Sequence, residues 1–150
     1  MAKSAAAVRS DPYRNFRFRV EIDGIVAAGF SEVQIGESVT AVIDYREGNE
    51  PAHVRKLPGL QKFGIVTLTR GMTASMELVN WHRQVQAGDT ANARRNVVVI
   101  VMDESGTDQT RFAIHAAWPA KYAVGSLDGK GNEVLIETLD LVNEGIERVP

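Results

Sequence analysis

From Phe16 onward, apolar and charged residues alternate one by one. Phe16, Phe18, Val20 and Ile22 are interleaved with Arg17, Arg19, Glu21 and Asp23. A period of two puts these sets on opposite faces of an extended strand, whereas a helix would scatter both around its circumference. The same alternation returns at Val39, Ala41, Ile43 and Tyr45, and again at Phe112, Ile114, Ala116 and Trp118, up to Pro119. A chain written this way is constrained to build sheets with one wet and one dry face. Between these runs, Phe63–Arg70 is rich in β-branched residues, and Val97–Met102 is an unbroken apolar run expected to be covered on both faces. Glu133–Val142 supplies a final strand. Asp23-Gly24 signals a hairpin into a return strand from Ile25, bending at Gly29. A single helix is expected where Leu78, Trp81 and Val85 recur at i, i+3 and i+7, capped by Thr73 or Ser75 and ended by Gly88, with a polar turn over 89–94.

Seven or so hairpin-spaced strands and one helix predict a mainly β fold, an antiparallel β-barrel or sandwich with one flanking α-helix. The chain has 150 residues, 44% of them hydrophobic, enough for one core without staples. Residues 1–12 are small and polar and read as an N-terminal arm, leaving 13–150 as a single β domain. Arg46–Lys62 contains Gly48, Pro51, Pro58 and Gly59 and reads as a long irregular loop. Loops of this length in compact domains are usually functional or disordered. Val54, Leu57, Leu60 and Phe63 give this one apolar anchors. Its leucines fit either a partner surface or a fold-back onto their own domain.

The residues supply no chemistry. There is no cysteine, which excludes disulfides, thiolate metal sites and cysteine nucleophiles. His53, His82 and His115 show no metal-ligand spacing. Gly129-Lys130-Gly131-Asn132 lacks the glycine and Lys-Ser/Thr pair of a phosphate loop, and Lys130 occupies a ligand position of a would-be calcium loop. The formal net charge of -2 gives no reason to expect nucleic acid. No apolar run approaches the ~20 residues of a membrane helix, and the first residues make no signal peptide, so cytoplasmic synthesis and folding are expected. No catalytic residue, cofactor or metal is expected. What remains is a β domain that associates with itself at unpaired strand edges. A small-molecule-binding β-barrel stays open as a different class of function.

Eight stretches also carry a family resemblance: Asp11-Pro12-Tyr13 with Asn15-Phe16-x-Phe18-x-Val20; Gly29-Phe30-Ser31-Glu32-Val33; Tyr45-Arg46-Glu47-Gly48-Asn49-Glu50; Arg55-Lys56-Leu57-Pro58-Gly59-Leu60; Thr67-Leu68-x-Arg70-Gly71; Arg94-Arg95-Asn96-Val97; Ala117-Trp118-Pro119-x-Lys121-Tyr122; and Gly131-Asn132-Glu133-Val134-x-Ile136-Glu137-Thr138-Leu139. In this order they resemble the tail-tube, or inner-tube, proteins of contractile phage tails and phage-derived contractile injection systems. Gln34–Thr40 and Thr73–Gly88 match less closely.

The resemblance implies a structural, non-enzymatic subunit. Six copies would form a ring whose sheets join around a lumen, and rings would stack into a tube. A contractile sheath would drive that tube through a target envelope. Partners would be further copies, sheath, baseplate or spike proteins and cargo in the lumen, with no specific nucleic acid and no stable membrane insertion. Assembly would be cytoplasmic, and the particle a virion, membrane-anchored or extracellular. A minor tube-initiating protein, joining tube to baseplate, is the variant within this class. By the same resemblance, the ring-stacking loop would offer Arg46, Glu47 and Glu50 as charge partners, with Arg55 and Lys56 beside them. Leu57, Pro58 and Leu60 would form an apolar wedge. Strands near 16–22 and 133–142 would line the lumen or pair laterally.

Overall fold

A computed structural model describes residues 17–23, 25, 29–46, 48, 54–131 and 134–150. They form β1 (Phe18–Ile22), β2 (Phe30–Gln34), β3 (Ser38–Tyr45), β4 (Arg55–Phe63), β5 (Val66–Gly71), α1 (Glu77–Gln86), α2 (Thr90–Ala93), β6 (Arg95–Met102), β7 (Asp108–Val124), β8 (Ile136–Val142) and β9 (Gly145–Val149). The mainly β expectation holds, with antiparallel pairing throughout.

The alternation in β1 does what its period requires: Val20 and Ile22 are buried while Arg19 and Glu21 face solvent. β1 pairs with β6, β6 with β7, β7 with β8, β8 with β5 and β5 with β2, and β9 adds to β7. β7 therefore belongs to two sheet halves. Its first part pairs β6 and β9; its second part, from Trp118, pairs β8. The change of partner sits at Ala116, whose φ of 51° is in the left-handed region that residues with a Cβ seldom occupy. The kink shifts the buried parity from Thr110 and Ile114 to Ala117 and Pro119. Pro119 does not end the strand, because the edge of β7 beyond Ala117 that faces away from β8 has no partner strand among the described residues.

Between the halves lies a core that includes Val66, Leu68, Val97, Ile114, Leu139 and Leu141. Each such side chain contributes about 1.5–3 kcal/mol on burial. α1 closes one flank by laying Leu78 and Trp81 into this core. The Trp81 indole N–H donates to the Ala93 carbonyl at 2.6 Å, and the Arg95 guanidinium lies 5.8 Å from its ring centroid. One charged cluster is buried with the apolar groups. Arg70 Nε donates to Glu137 Oε1 at 2.5 Å, and the Tyr122 hydroxyl donates to Glu137 Oε2 at 2.6 Å. Burial, then the hydrogen bond to Glu137 and its charge, push the Tyr122 hydroxyl up to about 12.

Several expectations need correction. The residues from 55 to 62 are not irregular: they form most of β4, because Pro58 and Gly59 lie at or beside a bulge that a strand tolerates. Ile22 and Ile25 share an isolated antiparallel bridge, and Gly24 and residues 26–28 of the expected hairpin lie outside the described residues. Phe63–Arg70 breaks at Gly64-Ile65 into two strands, since the chain changes sheets there. The polar turn at 89–94 contains the short α2. α1 begins at Glu77 after Met76, whose side chain makes no cap; the Glu77 N–H donates instead to the Ser75 hydroxyl oxygen at 3.5 Å, and the helix ends before Gly88 at φ 89°, as expected. A ninth strand, β9, follows β8 and was not anticipated. The N-terminal arm lies outside the described residues.

Candidate assembly interface

β3 and β4 pair only with each other, in a two-stranded sheet separate from the seven-stranded body. Their registers run Ser38↔Phe63, Thr40↔Gln61, Val42↔Pro58, Ile43↔Leu57 and Tyr45↔Arg55. Two residues of β4, Gly59 and Leu60, face one of β3, Ala41, which defines a bulge. A Cβ on Gly59 would come within 3.0 Å of Ile43 Cγ1, so the missing side chain lets the strands close at that point.

The ribbon leaves the body through a narrow neck. Gly64 N–H donates to Glu37 O at 2.7 Å, and Asn143 Nδ2 of the body donates to Gly64 O at 3.0 Å. A Cβ on Gly36 would lie 2.4 Å from the Gly64 carbonyl carbon, so only glycine admits this crossing. Beyond the neck, every residue of β3 is exposed. Of thirteen exposed large hydrophobics among the described residues, seven lie on this ribbon or beside it: Val39, Val42, Ile43, Tyr45, Val54, Leu57 and Leu60. Leu60 is 78% exposed and Val42 66%. An isolated two-stranded ribbon is marginal in water, and a contiguous apolar surface of this kind marks a contact site.

The structure thus gathers Arg55, Lys56, Leu57, Pro58 and Leu60 on one projecting strand, with Arg46 exposed just past the end of β3. Glu47 and Glu50 lie outside the described residues. The Lys56 ammonium is held at 2.6 Å by Asp44 of the opposite strand, so its charge is matched within the ribbon. Sequence reasoning had missed the other half of the surface. Val42 and Ile43 sit opposite Pro58 and Leu57, a proximity visible only once the two segments are known to pair.

The body also has unspent edges. Among the described residues β1 pairs only β6 in its sheet, and β2 pairs only β5. The two do not pair with one another, and a cavity of about 400 Å³ lies between them, lined by Phe18, Val33, Val99 and Phe112 among others. Beyond the bridge between Ile22 and Ile25, the outer edge of β1 has no partner among the described residues. β8 is paired on both sides, with β7 and β5, and has no edge to lend. No group of three or more potential metal-ligating side chains occurs among the described residues, and no helix there is long and apolar enough to cross a membrane.

The sequence matches the family described as T4-like virus tail tube protein gp19 over residues 14–147. No curated protein sequence matches the chain. Among solved structures, a chain in the anti-feeding prophage baseplate, reconstructed with six-fold symmetry, is 25% identical with a TM-score of 0.75, covering 94% of this chain and 97% of that one. A chain in the sheath/tube terminator of the PVC extracellular contractile injection system, in its extended state, is 19% identical with a TM-score of 0.78 over 95% and 100%. Hcp1 from Flavobacterium johnsoniae shares the fold at 14% identity and a TM-score of 0.52 over 87% and 93%.

Proposed function

The chain belongs to the T4-like virus tail tube protein family, and from that premise we propose that it is the repeating subunit of a hollow inner tube, a structural protein and not an enzyme. Six copies close a ring by lending strand edges such as the outer edge of β1 to their neighbours. Rings stack through the β3–β4 ribbon, with Arg46, Glu47, Glu50, Arg55, Lys56, Leu57, Pro58 and Leu60 at the contact. The six-fold symmetry reported for the anti-feeding prophage baseplate supports the ring number. The extended sheath/tube assembly of the PVC system supports a contractile sheath as partner, with baseplate proteins at one end and cargo in the lumen. Assembly takes place in the cytoplasm before the particle acts outside the cell.

The observation that carries the reading is the ribbon: an ordered pair of strands with its apolar residues in water and a glycine neck as its link to the body. A lone molecule gains nothing from it, whereas a stack of copies buries it at every repeat. Lateral contacts that close and axial contacts that stay open are the two outcomes of heterologous association. Negative-stain microscopy of purified protein tests this. Wild type gives rings and tubes; Leu57→Asp with Leu60→Asp gives no tubes and an unchanged far-UV spectrum. Tubes of wild-type length from the double variant would reject the ribbon as the stacking element.

A further inference from the structure

The end of the sheet opposite the neck carries a second apolar surface. Antiparallel register puts Val66 of β5 beside Leu141, next to the neck, and Gly71 beside Ile136, at the far end. Six residues of strand separate the two ends, about 17 Å at the usual rise. At the far end the chain between β7 and β8 is tied to the body. Gly125 N–H donates to Ile136 O at 2.9 Å, and Met72 N–H donates to Leu135 O at 2.8 Å. Lys130 N–H donates to Asp128 Oδ1 at 3.0 Å, which closes a local turn. Held in this way, Leu127 is nevertheless 81% exposed and Val134 74% exposed, with Ile136 continuing the patch. Leu127, Val134 and Ile136 border a depression of about 480 Å³. Val134 leans over Gly71, where an added Cβ would lie 3.2 Å from its Cγ1, so the body fixes its position.

We infer that the surface formed by Leu127, Val134 and Ile136 is the seat that receives the β3–β4 ribbon of a second copy of this chain in the adjoining ring. The inference rests on the proposed stacking role of the ribbon and names its receiver. Three observations favour another copy as the occupant. A projection at one end of a sheet and a seat at the other define a heterologous contact, which repeats without limit along an axis. One such contact covers both apolar surfaces, whereas ribbon-to-ribbon pairing would cover one and leave the other wet. The charges also complement: the segment 38–63 carries four Lys/Arg against three Asp/Glu, and the segment 125–135 carries one Lys against two Asp/Glu.

The chain has no cysteine, so engineered thiols report the contact without background. Leu60→Cys protein mixed with Val134→Cys protein under mild oxidation should give disulfide-linked dimers, and a chain carrying both substitutions should give a ladder of covalent multimers. Leu127→Asp with Val134→Asp should lower the fraction of rings found in stacks by about tenfold or more, because each tenfold corresponds to a modest loss of contact free energy. Single rings should persist, and so should the far-UV spectrum. Wild-type stacking by that variant together with loss of stacking in Leu57→Asp/Leu60→Asp would overturn the seat and leave the ribbon reading intact. Dimers from Leu60→Cys alone, equal in yield to the mixture, would overturn the seat in favour of ribbon self-pairing. Normal stacking by the ribbon variant would instead reject the underlying reading, and the seat with it.

Discussion

β8 and β3 are strands of nearly equal length, seven and eight residues, with comparable apolar content, and the chain treats them in opposite ways. β8 runs between two partners, and Leu139 and Leu141 are fully buried. β3 has one partner, and Val39, Val42 and Ile43 all stay in water. Apolar content therefore does not decide burial here; place in the topology does. The body is a self-sufficient fold with a sealed core. The ribbon, with Val54 beside it, carries seven of the thirteen exposed large hydrophobics among the described residues, and the cover proposed for it is another copy.

Perturbations of the body should cost folding stability and those of the ribbon should not, which gives several ways to break the comparison. The largest effect is expected at the buried ion pair. Glu137→Ala leaves the Arg70 guanidinium buried without its partner and should cost about 3–5 kcal/mol by chemical denaturation. Leu68→Ala opens a cavity between the sheet halves and should cost about 2–5 kcal/mol. A loss under ~0.5 kcal/mol for either would mean that the body is not the sealed unit described. Asn143→Ala removes the hydrogen bond that ties the neck to the body and should cost about 1 kcal/mol, with faster hydrogen exchange at the ribbon amides. At the small end, Lys56→Ala breaks an exposed ion pair and should change stability by less than about 1 kcal/mol, leaving only assembly as a place to see its effect.

pH sharpens the contrast. Tyr122 in the body holds its proton to about 12, against an ordinary value of 10.0. Because the folded value is raised, the unfolded chain ionises first as pH rises. The stabilisation is intact below pH 10 and is lost between about pH 10 and 12. Alkaline denaturation should show a stability loss across that window in wild type, and Tyr122→Phe should lack it. An unchanged pH profile in Tyr122→Phe would place the loss elsewhere.

The parts of this fold that could be read from sequence are those governed by local periodicity. The β1 alternation, the covered run in β6 and the α1 stripe all report which face of one element is dry, and each appears in the structure. Partner choice is not local. β1 pairs with β6, more than seventy residues away, a partner that nothing in its own alternation names. Proline and glycine at positions 58 and 59 suggest a loop, yet the strand absorbs them at and beside a bulge facing β3. Ala116 gives no sign in its side chain of the positive φ that redirects β7. The same limit divided the interface: Leu57 and Leu60 were visible as misplaced leucines, whereas Val42 and Ile43 joined them only through cross-strand register.

Amide hydrogen exchange of unassembled subunits and of finished tubes tests the central claim most directly. The account predicts that the amides of residues 39–62 exchange quickly in the free subunit and become protected by two or more orders of magnitude in the tube, while β8 and β5 are protected alike in both. Equal protection of the ribbon in both states, or protection gained by the central strands instead, would contradict it.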